Sequence, residues 1–126
     1  MRTLNFNDTV EAVREIINSV GADFVYTDSD AYGEEEMCLY VYEDEPSCIV
    51  GRFLVSEGHG TSILENNEGL NAQDMLEVLG YNMSDPQTDL ASCWLLRLQE
   101  HQDALGTTWG DAFDAAQEFA KEWDLS

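Results

Sequence analysis

Met37-Cys38-Leu39-Tyr40-Val41-Tyr42-Glu43-Asp44-Glu45-Pro46-Ser47 is the stretch on which the fold class turns. Its first six residues are apolar or aromatic, and such side chains suit a pleated, half-buried surface, so residues 37–43 read as a β-strand. The three acids and Pro46 end that strand. Upstream, Asp23-Phe24-Val25-Tyr26-Thr27 has the same character. Between the two runs lies a polar stretch from Asp28 to Glu36, with Gly33 to help it turn. Together they predict one antiparallel hairpin, about 23–27 paired with 37–43, closed by a long acidic loop. The other legible segments read as helices. The expected class is therefore α+β: one antiparallel β-hairpin packed by about five α-helices, in a single acidic domain over 1–126.

Moving outward, each helix is marked by its ends. Asp8-Thr9-Val10-Glu11 has the form of a capping box, and Val10, Val13, Ile17 and Val20 then share one face up to Gly21. This predicts a helix from about 8 to 20. Pro46 suits the first turn of a second helix, with the acids before it at the positive end. Cys48, Ile49, Phe53 and Leu54 form its apolar face and Gly58 its stop, while Gly51 inside it either weakens the helix or marks a close packing contact. Asn71 can cap a short helix carrying Met75, Leu76 and Leu79. Pro86 can open the next, which carries Leu90, Cys93, Trp94, Leu98 and Leu105 and stops at Gly106. Thr108 caps the last, with Trp109, Ala112, Phe113, Ala116, Phe119, Ala120 and Trp123 on one side. Residues 59–70 are the least legible stretch: His59, Gly60 and Thr61 read as loop, and Ser62-Ile63-Leu64 as a short strand or turn.

The charge balance narrows the function classes. The 126 residues hold 26 Asp and Glu against 5 Lys and Arg, a formal net charge of −21. Contact with a phosphate backbone needs Lys and Arg, so direct binding to nucleic acid is not expected. Attachment to an anionic membrane is disfavoured for the same reason, and no apolar run reaches membrane-spanning length. The first residues, Met1-Arg2-Thr3-Leu4-Asn5, lack the apolar stretch of a signal peptide. Cys38, Cys48 and Cys93 show no paired spacing and read as buried thiols in a reducing compartment, so the expected location is cytoplasmic.

Motifs for bound groups fall short. Asp28-Ser29-Asp30-Ala31-Tyr32-Gly33 starts like a calcium loop, but Tyr32 and Leu39 stand where acid or amide ligands belong, and the flanks read as strands. Cys38, Cys48, Cys93, His59 and His101 lack the spacing of a zinc site. Gly58-His59-Gly60 is too short for a phosphate loop. No catalytic residue, metal site or cofactor is predicted.

What remains is the acidic surface. Asp111, Asp114, Glu118 and Glu122 fall within roughly an 80° stripe of the last helix, at 100° per residue. Successive members are about 4.5–6 Å apart along the axis, sparser than the one charge per about 1.7 Å of duplex DNA. Joined to Glu34, Glu35, Glu36, Asp44 and Glu45, the stripe could approximate a phosphate ladder over part of the surface. These nine residues are the candidate partner-binding face.

Two blocks carry a resemblance: Cys38-Leu39-Tyr40-Val41-Tyr42 with Glu45-Pro46-Ser47-Cys48-Ile49-Val50-Gly51-Arg52, and Leu98-Gln99 with Gln102-Asp103 and Thr108-Trp109-Gly110-Asp111-Ala112. In them the chain resembles small proteins of actinobacteriophages and their actinobacterial hosts, over about half its length. The resemblance implies a setting, the bacterial host cytoplasm, and assigns no site. The expectation is a non-enzymatic, phage-type accessory protein that binds a basic surface of a host protein. That host protein would handle nucleic acid, and the chain would act as a DNA mimic inhibiting it. Two alternatives stand beside this. One is an acidic soluble domain with no charge-based partner, from halophilic or solubility adaptation; the other is a Cys/His metal or hydrolase site. The oligomeric state is left open.

Overall fold

The computed structural model describes residues 2–28, 39–104 and 106–121. The first helix, α1, spans Phe6–Val20. Its cap is Asn5, whose side-chain oxygen accepts the Asp8 N–H at 3.0 Å, so the helix starts ahead of the Asp8–Glu11 box. Asp8 instead sits in the first turn, where a carboxylate meets the positive end of the helix dipole. Gly21 ends α1 at φ 121°, a backbone angle that a side chain would resist, and returns its N–H to Ile17 at 2.7 Å.

The hairpin is formed elsewhere than the sequence pattern indicates. Strand β1, Val41–Tyr42, pairs antiparallel with β2, Glu45–Pro46, in the register Val41 to Pro46 and Tyr42 to Glu45. Glu43 and Asp44 make the two-residue turn with φ 52° and 67°, the left-handed angles of a tight hairpin. The expected partner, residues 23–27, is not a strand of this sheet: Val25 makes a single bridge to Thr108, and Tyr26–Asp28 is a 3-10 turn. The reason is a stronger claim on its backbone. The carbonyls of Ala22 and Phe24 accept the N–H groups of Gly110 and Trp109 at 2.9 and 2.8 Å. Those amides open the last helix and have no partner within it. Met37 and Cys38, in the other expected strand, lie outside the described residues.

Pro46 likewise belongs to the hairpin and opens no helix. Helix α2, Ile49–Ser56, is capped by Cys48, whose Sγ accepts the Gly51 N–H at 3.3 Å. Gly51 is the close contact foreseen: a Cβ there would collide with the Tyr40 carbonyl oxygen. The least legible stretch contains α3, Thr61–Glu65, where the sequence pattern indicates loop at Thr61 and a short strand or turn at Ser62-Ile63-Leu64. Then follow α4, Ala72–Val78, capped by Asn71; α5, Pro86–Gln102, capped by Asp85; and α6, Trp109–Lys121, with Thr108 Oγ1 accepting the Asp111 N–H at 3.0 Å. The described residues thus hold six α-helices and one two-stranded antiparallel sheet, an α+β arrangement.

Helix α5 is the spine: α1, α2, α4 and α6 all pack on it. Its Trp94 is fully buried, with the rings of Phe6 and Phe113 meeting it edge-on. Burying an aromatic of this size contributes about 1.5–3 kcal/mol. Two fully or almost fully buried amides on α5 hold the neighbouring helices in place. Gln99 Oε1 accepts the N–H of Ala72, the first residue of α4, and Gln102 Oε1 accepts that of Ile49, the first of α2, both at 2.9 Å. The spine therefore supplies partners for amides that each short helix leaves open.

Candidate partner-binding surface

Asp111, Asp114 and Glu118 are exposed on α6. They share that side because the opposite one, with Trp109, Ala112, Ala116 and Ala120, is committed to the core. The stripe is not free of positive charge: Lys121 Nζ sits 2.9 Å from Glu118, and that contact raises the Lys121 ammonium. Asp44 and Glu45 are exposed at the hairpin, which packs on α2 and α3, whereas α6 packs on α5 and α1. The described members of the candidate face are thus carried on two different elements, the hairpin and α6. Glu34, Glu35, Glu36 and Glu122 lie outside the described residues.

Beside the hairpin the structure gathers, around the expected Asp44, three acids that sequence reasoning missed. Glu43, Asp44, Glu65 and Glu68 line a cleft of about 420 Å³ with Leu39, Val41 and Tyr42. Glu68 is its structural member: its two carboxylate oxygens accept the N–H groups of Tyr40 and Val41 at 2.8 and 3.0 Å. Burial raises the Glu68 carboxyl above its ordinary range, the two amides hold it back, and neighbouring Glu65 pushes it up further. A helix through 61–65 would have pointed to Glu65, but the stretch around it gave no readable period.

Five basic residues against 26 acids leave most carboxylates uncompensated, and the four arginines are engaged with aromatic rings as well. Arg2 lies over the Tyr81 ring, Arg14 over Phe113, Arg52 over Trp109 and Arg97 over Phe119, at 6.0, 5.3, 5.6 and 4.1 Å from the ring centres. A guanidinium is weakly hydrated and stacks on aromatic faces, so these four act as much as covers for apolar surface as counter-charges. The ion pairs among the described residues are Arg14–Glu11 and Lys121–Glu118, each within one helix and exposed.

Cys48, Cys93 and His59 each take part in the hydrogen bonding of the fold, and Cys38 lies outside the described residues. Cys48 is buried as the α2 cap, and Cys93 accepts a hydrogen bond from Gln73 at 3.3 Å. Burial raises the Cys93 thiol, the direction opposite to an activated thiolate. His59 Nε2 lies 2.9 Å from the Tyr81 hydroxyl and 3.3 Å from Arg2, and burial with the Arg2 charge lowers its pKa. No three of the described His, Cys, Asp and Glu residues converge as around a metal. No described helix is long and apolar enough to cross a membrane. Comparison with protein-family models, curated proteins and solved structures finds no match.

Proposed function

We propose that the chain is a non-enzymatic binding protein that presents its acidic surface to a basic surface of a host protein, one that handles nucleic acid, and competes there as a DNA mimic. The observation that carries this reading is the placement of the arginines. All four lie over aromatic rings, and one of them also pairs with an acid. The negative field of the hairpin cleft and the α6 stripe is therefore left for a partner to neutralise. Such a field speeds encounter with a basic groove and weakens as salt rises.

The test is an affinity capture from an actinobacterial lysate at low and at high salt, with the wild type beside two charge reversals, Asp111→Lys/Asp114→Lys/Glu118→Lys on α6 and Asp44→Lys/Glu45→Lys on the hairpin. The reading expects a nucleic-acid-handling protein retained at low salt and released at high salt, and lost with one of the reversals. A partner that resists salt would move recognition to apolar surface. Absence of a specific partner, together with unfolding at low salt, would favour the halophilic alternative.

A further inference from the structure

A second cavity, which shares no lining residue with the hairpin cleft, has a different make-up. It measures about 410 Å³ and is lined by Leu70 and Asn71 on one side and by Leu96, Gln99, Glu100 and Asp103 on α5 and its C-terminal cap. Asp103 is half-buried there. Gln102 Nε2 donates to its Oδ1 at 3.1 Å, while Gln102 Oε1 holds α2. Among the described residues that line the cavity none is cationic, and Glu100 is the only titratable one besides Asp103. A carboxylate withdrawn from water with no counter-ion is costly, and an arriving cation relieves that cost. Leu70 and Leu96 offer an apolar wall that a hydrated metal ion could not use.

We propose that this cavity binds an organic ammonium group carried on a short apolar stem, with Asp103 as its counter-ion, Glu100 as a second carboxylate at the mouth, and Leu70 and Leu96 against the stem. The shared chemistry is that of a free alkylamine or of a lysine side chain. The site is separate from the α6 stripe and the hairpin cleft, and the inference does not rest on the partner reading.

Burial pushes the Asp103 carboxyl up to about 6, which gives the site a signature that general attraction to an acidic surface lacks. Between pH 7.5 and 5.0 the ionised fraction falls about tenfold, so affinity should fall about tenfold with it. The probes are n-butylammonium chloride and a neutral-ended peptide with one central lysine, titrated against sodium chloride at equal ionic strength. The readouts are melting temperature and the side-chain amide signals of Asn71 and Gln99. The expected result is saturable binding of one or both probes at pH 7.5, about tenfold weaker at pH 5.0 and lost in Asp103→Asn. That variant keeps an oxygen acceptor for Gln102 and leaves the other acids in place. Binding of butylammonium alone would assign the site to free amines, and tighter binding of the peptide to a lysine side chain. A response matched by sodium chloride, unchanged in Asp103→Asn, or flat across this pH range in the wild type overturns the proposal. The pH arm keeps the test decisive even where the variant folds poorly.

Discussion

The exposed face of α6 and the cleft beside the hairpin carry the same residue type and hold it in opposite ways. On α6 the acids stand on a regular helix whose geometry owes nothing to them; its register comes from Trp109, Ala112, Ala116 and Ala120 in the core. At the hairpin an acid builds the backbone. The two short strands make one small ladder, and Glu68 supplies the acceptors that Tyr40 and Val41 would otherwise lack. The difference separates acids that are available to a partner from acids already committed to the fold, and composition alone cannot separate them.

The comparison can be broken most severely at Gly51. A methyl group there collides with the Tyr40 carbonyl oxygen, so Gly51→Ala should destabilise by about 3 kcal/mol in urea unfolding. It should shift the amide signals of Tyr40 and Val41 while leaving those of α6 near their wild-type positions. Next comes Glu68→Ala, which leaves two amides without their carboxylate and should cost about 2 kcal/mol. Glu68→Gln should recover part of that, because only one of its terminal atoms accepts. An equal and negligible loss in both variants would show that the hairpin holds itself.

How far the sequence reached follows the same division. The helices were legible where a residue type suited to a helix end stands at that end: Asn71, Pro86, Thr108 and Gly21 stand where the pattern placed them. Asp8 misled because Asn5, three residues earlier, is an equally good acceptor and wins the cap. The hairpin was illegible because Glu43 and Asp44 carry none of the Asn-Gly or Asp-Gly chemistry that announces a left-handed turn. Phe24, Val25 and Tyr26 have strand character, but periodicity does not say which backbone will pair with them. The stripe on α6 was read from spacing, whereas Glu65 and Glu68 meet the hairpin only through tertiary packing.

Smaller effects sharpen the contrast. Asp103 is a third kind of acid, withdrawn from water but not engaged by backbone amides. Its folded-state carboxyl titrates above the unfolded one, so its contribution to stability is full at acid pH and is lost as pH rises through about 6. Asp103→Asn should therefore stabilise the protein at pH 7 by about 1 kcal/mol, after allowance for solvent screening, and the gain should vanish near pH 4. A gain of the same size at both pH values would assign the effect to packing. Smallest of all, Lys121→Ala removes an exposed pair and should change stability by less than about 0.5 kcal/mol. It should nevertheless strengthen low-salt binding to a basic partner, since it unmasks Glu118. Unchanged binding there would take the end of the stripe out of the interface.

Lys121 also has a practical consequence for any such measurement. It is the chain's only lysine, so amine-reactive dyes, crosslinkers and activated resins will attach to the protein there or at its terminal amine. Attachment at Lys121 fixes the linker to the α6 face, one turn from Glu118, with that face turned toward the matrix. A bait immobilised in this way would hide half of the surface it was meant to display, and a silent pull-down would then report the coupling chemistry and not the protein.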